Sequence, residues 1–227
     1  MVESNQSYSN ERVRDLLVDL FEKYESSFGK YQWPWENQRW FELVFCILST
    51  IDEDYSADSK AALATRVLVD LGLLDIHSLA ESITTDGKSD YSNPYAMHFR
   101  SVLERVGFEA KEINQVFTTI CETAKTLEQS YKGKIQILLR HHTDQIVNQL
   151  SKVLHLSHYL GEKNSRITIL RWLQNILNIP ILVPSQGLSV LCETTGKKPE
   201  DVLAIVDDLD INVALLDEVL NRWVQGK

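Results

Sequence analysis

Basic side chains that could bind phosphate are concentrated in residues 131–171. This stretch contains seven lysines and arginines but only two acidic residues, Asp144 and Glu162. The whole chain carries a net charge of −9 at pH 7, so the stretch differs sharply from the remainder. A local basic surface on an acidic protein is typical of phosphate binding, but a solvated helix face can have the same composition. The charge pattern therefore leaves both interpretations open, with DNA as the candidate partner.

Metal-binding chemistry has little support in the sequence. His155 and His158 are three residues apart on a predicted helix end, but no cysteine or carboxylate accompanies them at ligand spacing. Residues 208–212 imitate the start of a calcium loop, yet Val213 stands where that loop needs a glycine. We therefore expect no metal and no cofactor.

The cellular compartment is indicated by the cysteines and by the apolar runs. The three cysteines, Cys46, Cys121 and Cys192, are scattered singly, as buried thiols in a reducing compartment usually are. The longest apolar runs, such as Val44–Leu48, are much shorter than a membrane span, and no signal peptide is visible. The sequence therefore predicts a cytoplasmic protein with no membrane partner.

The elements that position these residues are predicted to be helices. Apolar residues recur at helical spacing along nearly the whole chain, no segment alternates as a strand, and only nine glycines and five prolines are present. We expect an all-α fold of eleven or twelve helices. The predicted helix N-caps are Asn10, Thr143, Ser185 and Asp210, and Gly72 and Gly107 are predicted at helix C-termini.

Four stretches resemble, in order and spacing, the helix-hairpin-helix DNA glycosylases of the endonuclease III type. Residues 40–54 (WFELVFCILSTIDED) are similar to the family's P-F-x-x-L-[VI]-x-x-[IV]-L-[ST]-x-Q-x-[TA]. Residues 102–116 are similar to I-x-x-x-G-[LF]-x-x-x-K-A-x-x-I. Residues 161–177 fall where the family has its hairpin, L-P-G-V-G-x-K-T-A, and the next helix. Residues 180–191 are similar to P-x-x-V-D-T-H-[IV]-x-R-[VL].

The resemblance implies two interleaved helical domains and a role in DNA repair. The first would be a six-helix barrel over residues 38–178, with a degenerate helix-hairpin-helix at about 158–178. The second would combine residues 1–37 with residues 179–227. The fold itself implies no chemistry, which depends on the side chains at the family's functional positions.

Those positions carry uncharged side chains in this alignment. Ile167 matches the lysine that attacks the sugar C1′, and Pro184 or Ser185 matches the aspartate that stabilises the developing positive charge. Ile51 matches the glutamine that fills the space left by a flipped base, and the four-cysteine iron–sulfur run is absent. Because glycosidic cleavage builds positive charge that a fixed carboxylate must stabilise, we expect no base-excision or lyase chemistry.

Phosphate binding by the hairpin is a separate expectation. Lys163, Asn164 and Ser165 occupy the turn where the family has its glycines, and Lys163 and Arg166 can supply charge in place of close backbone approach. A plain polar turn is the alternative. The predicted nucleic-acid-binding residues are Lys152, Lys163, Asn164, Ser165, Arg166 and Thr168.

Two other functions are compatible with the sequence. A divergent monofunctional DNA glycosylase would need a relocated carboxylate, for which Asp52, Glu53, Asp54 and Glu162 are candidates. A non-catalytic protein-interaction module would use residues 193–227, where eight acidic and four basic residues favour a basic partner.

Overall fold

The computed structural model describes residues 8–24, 38–54, 59–83, 93–140, 146–177, 185–209, 211 and 213–226. Over these ranges the chain forms twelve α-helices and no β-strand, so the all-α prediction is confirmed. The proposed N-caps Thr143 and Asp210, and Pro184, lie outside the described residues.

The helices are mostly joined by short connections. They are α1 (Asn10–Tyr24), α2 (Gln38–Asp52), α3 (Lys60–Asp70), α4 (Ile76–Glu81), α5 (Pro94–Val106), α6 (Ala110–Tyr131), α7 (Ile135–Arg140), α8 (Ile146–Val153), α9 (Leu156–Leu177), α10 (Gln186–Thr195), α11 (Pro199–Asp208) and α12 (Val213–Gln225).

The chain divides into two compact units. The central unit is Tyr31–Trp172, and the terminal unit combines Met1–Lys30 with Leu173–Lys227. None of the helices in the described ranges has both the length and the apolar character needed to cross a bilayer.

The terminal unit is built from α1, α10, α11 and α12, which pack on one another through a shared apolar core. The apolar face of α1 is buried there through Val13, Leu17 and Phe21. Helices α10 and α12 approach each other closely, because a Cβ added to Gly187 would lie 2.6 Å from Leu220 Cβ. The Gly187 amide also donates to Asn221 Oδ1 at 3.1 Å, so a side chain at position 187 would disturb both packing and hydrogen bonding.

Two of the predicted helix caps lie in this unit, with different outcomes. Ser185 caps α10 as predicted, since its Oγ accepts from the Leu188 amide at 3.1 Å. The prediction for Asn10 is wrong, because Ser9 Oγ accepts from the Arg12 amide at 3.2 Å. Asn10 is instead the first helical residue, and its Oδ1 accepts from Lys197 Nζ at 2.7 Å.

The central unit is organised around α6, which packs against α2, α4, α5 and α7. The apolar face of α6, from Ile113 to Leu127, is fully buried, and Phe117 contacts Phe99 of α5. Two tryptophans are buried with their indole N–H groups satisfied. Trp40 donates to the Leu74 carbonyl at 2.8 Å, and Trp172 donates to the Arg39 carbonyl at 2.7 Å.

Candidate nucleic-acid interface

The helical hairpin in this part of the chain is built from α8 and the first part of α9, so it begins before the range 158–178 that was predicted for it. After α8 the chain turns at Leu154 and His155, and His155 adopts a positive φ of 55°. Within α9 the one non-helical residue is Gly161, with φ 78° and ψ 163°. This conformation is almost restricted to glycine, so Gly161 divides α9 into a short first segment and a long second segment.

The position of this break corrects the turn expected from the sequence. Lys163, Asn164 and Ser165 are helical, so the prediction that they form the turn is wrong. The physical reason is that Gly161 alone in this stretch can adopt the required backbone conformation without a steric cost. The available signal was that no other glycine occurs between Gly133 and Gly187.

A buried pair of hydroxyl groups fixes α8 against the second segment of α9. Ser151 Oγ donates to Ser165 Oγ at 2.8 Å, and Ser165 Oγ donates to the Glu162 carbonyl at 3.0 Å. Lys152 and Arg166, the residues that follow these two serines, are exposed. The serine pair therefore links the segments of two different helices that carry these exposed cations.

Hydrogen bonds from α6 hold the chain between α8 and the break at Gly161. Thr123 Oγ1 donates to the Leu154 carbonyl at 3.1 Å. Gln115 Nε2 donates to the Tyr159 carbonyl at 2.8 Å. Because backbone groups are fixed on both sides of His155 and His158, the hairpin has a defined path over α6.

The six predicted binding residues fall into an exposed group and a buried group. Ser165 and Thr168 are completely buried, and Thr168 Oγ1 lies 2.7 Å from Thr50 Oγ1 of α2 while donating to the Asn164 carbonyl. These two hydroxyls therefore support the helix from inside. The side chains exposed to solvent are Lys152, Lys163, Asn164 and Arg166.

The charge of this surface comes from three cations. In the described part of the chain, Lys152, Lys163 and Arg166 have no carboxylate within ion-pair distance. Arg171, which also contributes to the basic count of the sequence, is 6% exposed and adds no charge to the surface. Glu162 is exposed at the start of the second segment and reduces the local positive charge.

Of the four carboxylates considered as catalytic replacements, Glu162 lies beside the hairpin cation Lys163, and the other three lie at the end of α2. Asp52 is half-buried with its side chain only 6% exposed, and its Oδ1 lies 2.9 Å from Lys60 Nζ while Oδ2 accepts weakly from the Ala61 amide at 3.4 Å. The hydrogen bond with Asp52 raises the pKa of Lys60 above its usual 10.5. The Asp52 carboxylate therefore stabilises the start of α3 through Lys60 and Ala61. Glu53 and Asp54 follow α2 and are exposed.

The positions aligned with the family's reactive residues are described in part. Ile51 and Ile167 are half-buried. Ser185 is committed to capping α10, and its own carbonyl accepts from Ser189 Oγ at 2.9 Å. Neither isoleucine can act as an acid, a base or a nucleophile, and the Ser185 hydroxyl is used by the helix cap.

The acidic surface considered as an alternative lies on the terminal unit. Glu193, Glu200, Asp201 and Asp207 are exposed there, whereas Asp208 forms an ion pair with Arg14. The interpretation of this surface as a protein-binding module stays a prediction.

Among the residues that the structure describes, no group of three or more histidine, cysteine, aspartate or glutamate side chains could hold a metal ion.

No protein-family model, curated protein or solved structure matches the chain.

Proposed function

We propose that this chain is an endonuclease III-like protein that binds nucleic acid through its α8–α9 hairpin and lacks base-excision chemistry. The observation that carries the proposal is the break at Gly161, which is followed at once by the exposed cations Lys163 and Arg166. A helix that begins at a glycine presents free backbone N–H groups, and cations beside them favour a phosphate ligand.

The helix order and the division of the chain add support. In the family that the sequence resembles, one domain is continuous and the other is built from both ends of the chain. The central unit here is continuous, and the terminal unit combines both ends of the chain.

The break also improves the alignment of the hairpin. If Gly161 is paired with the last glycine of the family's G-x-K-T-A, the residues Gly161-Glu162-Lys163 reproduce G-x-K. Lys163 then replaces Ile167 as the match to the family's lysine. The aspartate still has no acidic counterpart, since Ser185 carries no charge, and base excision therefore lacks its stabilising carboxylate.

Fluorescence anisotropy with duplex, single-stranded and abasic DNA at low and moderate salt tests this proposal. For three phosphate contacts on duplex DNA, log Kobs should fall with log salt with a slope of about −2.7. The double variant Lys163→Glu with Arg166→Glu should lose most of the affinity, because two attractive contacts become repulsive.

A matched control separates this local effect from a change in net charge. Lys23→Glu with Arg105→Glu alters the same number of charges at exposed positions outside the hairpin. We expect this control to bind as the wild type does once salt screens long-range interactions. No binding at any salt concentration, or equal losses in both double variants, would contradict the proposal.

A second candidate function, cleavage at abasic sites, is favoured by the position of Lys163. An abasic deoxyribose has already lost its base and exposes a C1′ aldehyde. No glycosidic bond has to be broken, and no carboxylate is needed to stabilise that step. The lysine amine would condense with the aldehyde, release water and form an imine. Loss of the C2′ proton would then expel the 3′ phosphate, and water would hydrolyse the imine to return the free amine.

Borohydride trapping distinguishes this candidate from binding alone. Reduction of the imine would leave a covalent protein–DNA adduct that survives denaturing electrophoresis. Lys163→Arg should keep the phosphate contact and abolish the adduct, because a guanidinium is not a nucleophilic amine. Lys152→Arg is the matched control and should leave the adduct unchanged. No adduct with the wild type would reject abasic-site cleavage and leave the binding proposal standing.

A further inference from the structure

Along the chain, a pair of packed aromatic rings lies between the cation of α8 and the two cations of α9. His158 is exposed, and Tyr159 beside it is half-buried. Their ring centroids are 4.7 Å apart at an interplanar angle of 88°, which is an edge-to-face arrangement. Edge-to-face packing is a favoured arrangement of two aromatic rings, so Tyr159 restricts the orientation of the His158 ring.

The backbone below this pair is also held in place. The Tyr159 carbonyl accepts from Gln115 Nε2 at 2.8 Å, and the His158 amide donates to the His155 carbonyl at 3.1 Å. Burial raises the pKa of the Tyr159 hydroxyl, with a further contribution from the charge of Glu122 on α6. An exposed ring on a fixed backbone loses little conformational entropy when a flat ligand packs against it.

The cations lie on either side of the rings along the chain. Lys152 precedes them on α8, and Lys163 and Arg166 follow the break at Gly161. The buried bond between Ser151 and Ser165 brings these two basic segments together. An aromatic ring next to a track of cations is the combination that proteins use for single-stranded nucleic acid.

We infer that the hairpin takes a single-stranded nucleic acid, with an unpaired base packed on His158 and the flanking phosphates on Lys152, Lys163 and Arg166. The inference rests on the proposed function and specifies its ligand. Paired bases in a duplex are stacked on each other and cannot offer a free face to His158. The single strand therefore gains a contact that a duplex lacks.

The test uses the full chain with oligothymidylate, oligouridylate and a DNA duplex of equal length. His158→Ala should weaken single-strand binding by roughly 5- to 150-fold, the range expected for the loss of one stacked base. Duplex binding should hardly change. His98→Ala is the matched control, because His98 is also exposed on the central unit but lies on α5. The two single strands distinguish DNA from RNA as the source of the base.

A second variant separates stacking from charge. His158→Phe should keep single-strand affinity, since phenylalanine retains a flat ring and has no charge. The salt slope should also be unchanged, whereas Lys163→Ala should reduce it by about 0.7 on a single strand. Circular dichroism would check that each variant folds.

Several outcomes would overturn the inference. Loss of affinity with His158→Phe equal to that with His158→Ala would mean that no stacking occurs. Equal effects of His158→Ala on duplex and single strands would exclude an unpaired base as the ligand. If the charge-reversed hairpin loses binding while every His158 variant binds normally, the proposed function stands and this inference fails. If no nucleic acid binds to the wild type, both fail.

Discussion

The backbone at Gly161 gives a sharp test of the hairpin, by exchange of this glycine for asparagine. Its φ of 78° is within reach of asparagine, but its ψ of 163° is far from the left-handed helical region. A Cβ at this position would meet nothing within 4 Å, so side-chain clashes do not contribute. The cost is therefore conformational, and we expect Gly161→Asn to lower the free energy of unfolding by about 1–3 kcal/mol.

Gly72 supplies a matched control within the same unit. Its φ is 68°, and a Cβ there would also meet nothing within 4 Å. The Gly72 amide donates to the Val69 carbonyl and the Leu73 amide to the Leu68 carbonyl, which is the hydrogen-bond pattern of a left-handed residue ending a helix. Asparagine is tolerated in that conformation, so we expect Gly72→Asn to cost less than about 1 kcal/mol.

Urea unfolding followed by circular dichroism and tryptophan fluorescence measures the difference between the two variants. We expect a lower midpoint for Gly161→Asn with an unchanged slope, because the surface exposed on unfolding stays the same. If the two variants have equal stability, the backbone break at Gly161 is not a feature of the folded protein. The assignment of Lys163 to the start of a helix would then be withdrawn.

Three further predictions concern packing, pH and thiol reactivity. Gly187→Ala should destabilise the protein by about 1–3 kcal/mol in thermal unfolding, because the new methyl group overlaps α12 and leaves little room to move; stability equal to the wild type would refute the close approach. The pKa of Lys60 is raised above 10.5, so the stability from its pair with Asp52 is complete below that pH and is lost as the pH rises through the folded value. Lys60→Met should lack this alkaline loss in denaturation measured across pH, and an unchanged pH profile would argue against the ion pair. Burial raises the pKa of Cys46 well above 9.0, so a thiol reagent should label half-buried Cys192 first in the native protein and Cys46 only after unfolding; early labelling of Cys46 would contradict its burial.

Local signals in the sequence were sufficient to predict that the chain is helical and which residues form much of its core. The buried apolar face of α6 follows from the spacing of its apolar residues, and the cap at Ser185 follows from a short-range hydrogen bond. Both signals depend on residues only a few positions apart. Local sequence signals did not decide whether Ser9 or Asn10 is the N-cap of α1. Lys197, far away in the chain, donates to Asn10 and leaves Ser9 as the cap.

The site depended far more on tertiary structure. The sequence identified a basic stretch, but burial removed Arg171 from its surface and used Ser165 and Thr168 in internal hydrogen bonds. These losses arise from contacts with α2 and α8, which no local pattern contains.

The position of the turn shows the same difference between what the sequence predicted and what the tertiary structure decided. From the sequence alone, composition located the cations of residues 131–171, and the family resemblance predicted a hairpin at about residues 158–178. Only the folded chain decided that the break falls at Gly161 and that Lys163 begins the next helix. Hydrogen bonds from α6 and α8 hold the chain on both sides of the glycine, at Tyr159 and Ser165, and they join helices that are separate in the sequence.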